Sequence, residues 1–183
     1  MRVLAFAGSL RAGSLNRKLL ANAIESLHGK AEVDLLDLRA VSMPIYDGDL
    51  EAQDGLPEGA KRLRARIAAA DAVLIASPEY NNSVPGGLKN AIDWASRAPD
   101  QPLKGKVVLL LSASPGQFGG LRGLIALRPI LTALMAVVIP STVSITFADQ
   151  AFDDQGRLKD ARARGQVERA CAELIRFTAA LKG

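Results

Sequence analysis

This 183-residue chain holds one cysteine, one histidine, one tryptophan and two tyrosines. A lone Cys171 excludes an intrachain disulfide, and with a lone His28 it leaves no Cys/His set for a zinc-type site. Cys171 lies in an Ala- and Leu-rich helical pattern with no histidine nearby, so it reads as a small buried hydrophobe rather than a nucleophile. His28 closes the first helical pattern, where a last-turn residue is favourable. Aromatics make up 4% of a chain that is 49% hydrophobic. The core must therefore be Leu, Val, Ile and Ala, a balance that suits helices packed on a sheet.

Long apolar runs are missing too. Ile130 to Ile139, interrupted by Thr132, is too short to span a bilayer. The opening Met1-Arg-Val-Leu-Ala-Phe-Ala reaches Gly8 after one short strand, so no signal peptide is expected and the protein is expected in the cytoplasm, with no membrane partner. Basic residues exceed acidic ones by four. They are interleaved with acids, as in Arg157-Leu-Lys-Asp-Ala-Arg162, and form no basic patch with aromatics, which argues against nucleic acid. The length fits one domain over residues 1–183.

Strand and helix patterns alternate along the chain. Val3 to Ala7 is a short buried strand, and Leu15 to Leu27 carries Leu19, Leu20, Ala23, Ile24 and Leu27 at helical spacing. Glu32 to Leu38 supplies a second strand. Arg39 to Pro57 reads as a long connection, in which Met43 to Asp47 either borders a site or is a surface loop anchored by Ile45 and Tyr46. Glu58 to Ala70 is helical and Val73 to Ala76 is a strand covered on both faces. A helix over Leu88 to Arg97, with Pro85 at its start, precedes the strand Lys106 to Ser112. Leu121 to Leu134 is a helix with a possible kink at Pro129. The fifth strand is split by Pro140 into Val137–Ile139 and Val143–Ile145, and a last helix runs from about Lys159 to Leu181.

Five strands alternating with helices imply a parallel sheet wound on both faces, and five strands favour the order 2-1-3-4-5. Ligands then bind outside the carboxyl ends of the strands, at the switch point beside the first strand. Three loops rich in Gly, Ser and Asn follow strands one, three and four, and so meet there. The first, Gly8-Ser-Leu-Arg-Ala-Gly-Ser-Leu-Asn16, hands a strand to a helix N-terminus, where unpaired N–H groups and the helix dipole favour an anion. It has the G-x-x-x-x-G spacing of a triphosphate loop, but Ser14 and Leu15 stand where Lys and Ser or Thr are required. The dinucleotide pattern G-x-G-x-x-G is absent. What remains is a loop for a terminal phosphate, contacted by Ser9, Arg11, Ser14 and Asn16.

That loop, together with Ser77-Pro-Glu-Tyr-Asn-Asn-Ser-Val-Pro-Gly-Gly-Leu-Lys-Asn-Ala-Ile-Asp-Trp94, resembles the NADPH-dependent FMN reductase family, in the branch of bacterial quinone and chromate reductases. The likeness runs from Met1 to about Leu134. It implies a flavodoxin-like fold with FMN as cofactor and NADPH or NADH as electron donor. It further implies Ser9, Arg11, Ser14, Leu15 and Asn16 at the phosphate and ribityl end. Pro78, Glu79, Tyr80, Asn81 and Asn82 would lie against the isoalloxazine ring, and Ser114 with Gly116 would complete the ring pocket. Backbone N–H groups near Glu79 to Asn82 would tune the ring, and no side chain need act as acid or base.

The activity so implied is reduction of a quinone, an azo compound or an oxidised metal ion such as chromate by a ping-pong mechanism, in a homodimer or homotetramer. The helix after Pro85 and the stretch Leu121 to Met135 are candidate contacts, the latter equally readable as core. Asn82 and Pro115 depart from the family pattern at the pocket wall. Other roles stay open: Ser14 as a helix cap, Tyr80 as packing, Glu79 as a brace for its loop, and Asn90, Asp93 and Trp94 in helix packing or a subunit contact. Rival functions are an electron carrier without NAD(P)H oxidase activity and a flavin-binding regulatory domain.

Overall fold

Continuous apolar runs make strands that need covering on both sides, and here the covering comes from helices that each offer one apolar stripe. A computed structural model describes residues 1–97 and 99–182. Among them, β1 (Arg2–Ala7), β2 (Glu32–Leu36), β3 (Ala72–Ala76), β4 (Val107–Ala113) and β5 (Val137–Ile145) form one parallel sheet in the order β2-β1-β3-β4-β5, the flavodoxin-like order. The helices are α1 (Leu15–Leu27), α2 (Gly48–Asp54), α3 (Glu58–Ala69), α4 (Gly86–Ala95), α5 (Leu121–Ala133) and α6 (Ala161–Lys182), with a 3-10 turn at Leu38–Val41.

Alternation along the strands divides the core into two layers. Val3, Ala5, Leu74, Leu109 and Leu111 face α1 and α6. Leu4, Phe6, Val73, Ile75, Val108 and Leu110 face α3, α4 and α5. Arg66 of α3 and Arg2 of β1 both reach Asp34 of β2, with Arg66 Nε donating to Oδ2 at 3.0 Å and Arg2 Nη2 at 3.4 Å. The Arg66 hydrogen bond, ahead of the charges of Arg66 and Arg2, holds the Asp34 carboxyl below its usual range despite partial burial.

Two details differ from the sequence reading. The connection 39–57 contains α2, a seven-residue helix with no buried residue, capped by the Asp47 side chain accepting from Asp49 N. Without an apolar stripe it gives no periodic signal. The fifth strand is continuous through Pro140: Val138 pairs with Val108 and Thr142 with Leu110, so a bulge around Pro140 absorbs the missing N–H on an edge strand. Helix α5 has Pro129 inside it, as the sequence reading places it.

Candidate active site

The loop after β1 is tied down before it opens. Gly8 N donates to Ala76 O at 2.9 Å, and a Cβ on Gly8 would stand 2.8 Å from Leu88 Cδ2, so a side chain here would push Leu88 of α4 from its place. Ser14 is the N-cap of α1, its side chain accepting from Arg17 N at 3.3 Å. That bond uses an oxygen lone pair and leaves the Ser14 hydroxyl proton free to donate. The N–H groups of Leu15 and Asn16, first in the helix, have no intrahelical carbonyl. Arg11 is exposed, and its guanidinium has no hydrogen-bond or ion-pair partner among the described residues. A cation and two free N–H groups thus converge at one helix start.

Asn16, only 3% exposed, is spent on the scaffold. Its Nδ2 donates to Ala113 O at 2.9 Å and its Oδ1 accepts from Ala113 N at 3.0 Å, fastening the first turn of α1 to the end of β4.

The loop after β3 starts with buried Pro78 and half-buried Glu79. Glu79 Oε2 accepts from Arg122 N at 3.0 Å and Gly123 N at 3.2 Å, which caps α5 from a neighbouring loop rather than bracing its own. Gly123 permits the approach, since a Cβ there would lie 3.0 Å from Glu79 Cα. Tyr80 and Ser83 exchange backbone hydrogen bonds at 3.1 and 3.0 Å around Asn81 (φ 50) and Asn82 (φ 62). Two successive positive φ values make a type I′ turn, for which asparagine is well suited. Asn82 Oδ1 accepts from the Arg122 guanidinium, which also lies 4.1 Å over the Phe118 ring.

After β4, Ser114 is gripped by the next loop: its N donates to Ile145 O at 3.1 Å and its O accepts from Ala148 N at 3.0 Å. Gly116 N donates to Ser114 Oγ at 3.3 Å. The chain turns back at Phe147, whose φ of 46 is a left-handed conformation unusual for a bulky residue.

These loops enclose a cleft of about 560 Å³ at the carboxyl ends of β1, β3 and β4, within the size range of cofactor sites, roughly 300–1,000 Å³. Of the residues singled out in the sequence, Ser9, Arg11, Ser14, Leu15, Asn16, Pro78, Glu79, Tyr80 and Ser114 line it. Asn81, Asn82 and Gly116 stand outside the lining: the asparagines form the turn, and Gly116 steadies Ser114. Gly13, Ala113, Pro115 and Asp149 also line the cleft. Pro115 is the departure from the family pattern at the pocket wall, whereas Asp149 follows β5 in a segment without a motif.

The 39–57 segment is pinned to α4 rather than opening onto this cleft. Asn90 and Trp94 side chains both donate to Pro44 O at 2.8 Å, and Tyr46 meets Trp94 edge-on at 5.0 Å. Tyr46 is therefore a packing anchor, while Ile45 is 80% exposed. Trp94 belongs to the core, and Asp93 pairs with Lys89 at 2.7 Å. In α5, Leu124, Leu127 and Leu131 are core, whereas Leu121 and Ile125 are exposed.

The model of the NADPH-dependent FMN reductase family matches residues 1–150. An NAD(P)H-dependent FMN reductase of Pseudomonas aeruginosa is 42% identical over 184 aligned positions, which cover 100% of this chain and 98% of that protein. A quinone reductase of Escherichia coli is 45% identical over 139 positions, 76% of this chain and 73% of its own. Among solved structures, the FerB flavoenzyme NAD(P)H:(acceptor) oxidoreductase of Paracoccus denitrificans superposes with a TM-score of 0.87 at 32% identity, covering 98% of this chain and 97% of that one. With the family model matching residues 1–150 and a relative 42% identical over the whole chain, on a sheet in the flavodoxin-like order, the chain belongs to the NADPH-dependent FMN reductase family.

Proposed function

We propose that this protein is an FMN-dependent oxidoreductase that takes electrons from NADPH or NADH and passes them to a quinone, an azo compound or an oxidised metal ion such as chromate. The observation that carries the reading is the unpartnered Arg11 guanidinium beside the free N–H groups of Leu15 and Asn16, opening onto a cleft of cofactor size. FMN, when bound, supplies the chemistry of accepting a hydride and releasing electrons.

The chain's own residues do the rest. Arg11, the Ser9 and Ser14 hydroxyls and the first N–H groups of α1 hold the phosphate, each bond to a charged group contributing about 1.5–3 kcal/mol. Pro78, Glu79, Tyr80 and Ser114 hold the ring, on loops fixed by the Glu79 cap on α5 and the grip on Ser114. None of these side chains is needed to move a proton; Glu79 in particular spends a carboxylate oxygen on two backbone N–H groups. Donor and acceptor would use the one cleft in turn, in a ping-pong order.

Exposed Leu121 and Ile125 on α5, beside Phe118, suit a subunit contact in a homodimer or homotetramer. Among the described residues no helix is long and apolar enough to cross a membrane. A cytoplasmic setting fits an enzyme drawing on the nicotinamide pool.

Flavin fluorescence titration of the apoprotein tests the site. Arg11→Ala combined with Ser14→Ala should weaken FMN binding by about 100-fold or more, and unchanged affinity would refute the assignment. Steady-state NAD(P)H oxidation with a quinone tests the activity. A protein that holds FMN but never consumes the nicotinamide would be an electron carrier instead.

A further inference from the structure

The cleft contains one carboxylate with no structural duty. Arg11 and the hydroxyls of Ser9, Ser14 and Ser114 can donate, which suits a phosphate and carbonyl edges. Two other lining side chains that can accept are already used, Asn16 on Ala113 and Glu79 on the start of α5. Asp149 also lines the cleft, and its side chain has no hydrogen-bond or ion-pair partner among the described residues. As an ionised carboxylate it would offer acceptors only, so it is unsuited to a phosphate and complementary to hydroxyl groups.

Its position is built rather than incidental. Ala148 N reaches back to Ser114 O at 3.0 Å and Gln150 N donates to Phe147 O at 3.0 Å, so both neighbours of Asp149 are held. The turn requires the left-handed backbone of Phe147, whose side chain is 57% exposed and so gains little from burial in return. Unfavourable backbone conformations of this kind collect at functional sites, where the surroundings hold them.

We infer that Asp149 accepts hydrogen bonds from the hydroxyl groups of the ribityl chain and so selects a polyol-bearing flavin; the inference rests on the cleft being the FMN site. Three segments then supply donors to the cleft, and a fourth, after β5, supplies an acceptor.

The experiment titrates apoprotein with FMN and with an analogue in which a pentyl chain bearing the same terminal phosphate replaces the ribityl chain, read by quenching of flavin fluorescence. Asp149→Ala should weaken FMN by about 10-fold or more and leave the analogue within about twofold, and Asp149→Asn, which keeps one acceptor, should fall between. Equal weakening of both ligands, or an FMN affinity that is unchanged or tighter in Asp149→Ala, would overturn the inference while leaving the cofactor site standing. Wild-type protein that binds neither ligand would overturn the site itself. Thermal unfolding of the variants without ligand should match wild type, since Asp149 is exposed and unbonded.

Discussion

Asn16 and Ala113, 97 residues apart, are joined by a two-bond bracket in which one side-chain amide satisfies both backbone groups of its partner. This bracket sets the distance between the start of α1, the proposed phosphate site, and the loop after β4, proposed to border the ring. Asn16→Ala would leave a buried N–H and a buried C=O unpaired, a loss of about 2–4 kcal/mol. Chemical denaturation should show it as a lower midpoint, and FMN affinity should fall although the Asn16 side-chain amide, fully used on Ala113, has no bond to offer the ligand.

Glu79 is the second brace. Glu79→Ala should cost about 1–2 kcal/mol, the range of a lost helix cap. Glu79→Gln, which keeps a carbonyl oxygen, should cost less. Hydrogen exchange offers the local check: the Arg122 and Gly123 amides should exchange faster in Glu79→Ala, and amides in α3 should not.

Two glycines near the cleft should respond in opposite ways. A Cβ on Gly120 (φ 84) would lie 1.9 Å from Ser112 Oγ, so Gly120→Ala combines overpacking with backbone strain and should lose about 2–4 kcal/mol. A Cβ on Gly13 would meet nothing within 4 Å. Gly13→Ala should leave the apoprotein as stable as wild type or up to about 1 kcal/mol better, while the added methyl in the cleft weakens FMN binding. Melting curves with and without FMN separate the two effects.

Much of this arrangement is legible in the sequence, for identifiable reasons. Strands buried on both faces show as runs such as Val73-Leu-Ile-Ala76, and small residues at their ends mark the loops that meet at the switch point. Ser9, Arg11 and Ser14 stood out because anion chemistry at a helix start demands their residue types. Helix α2 was hidden because its stability is local, resting on the Asp47 cap and on Tyr46 donating to Glu51 Oε2 at 2.8 Å. The commitments of Asn16 and Glu79 were hidden because each bond crosses to an element distant in sequence. Asp149 gave no signal: an Asp after a strand is ordinary, and only the return of the chain to Ser114 brings it into the cleft.

Asp34 gives the fold a pH dependence. Its carboxyl is held below the usual value of 3.8 by Arg66 first, with Arg2 assisting, so the native state favours the ionised form. The resulting stability is complete above the unfolded value and is lost as pH falls through the lower folded value. Asp34→Asn should therefore be less stable than wild type by about 1–2 kcal/mol at neutral pH, with the gap closing below about pH 4. Urea midpoints measured across that range supply the comparison.

Cys171 lies fully buried between α6 and α1, its Sγ 3.6 Å from Ala23 O, and burial pushes its thiol up to about 12. Quinones are electrophiles that arylate thiolates, and a thiol kept protonated and out of reach presents no such nucleophile. The sole sulfhydryl of the chain is thus shielded from the very compounds the cleft is proposed to handle, which favours long service life over many turnovers without self-inactivation.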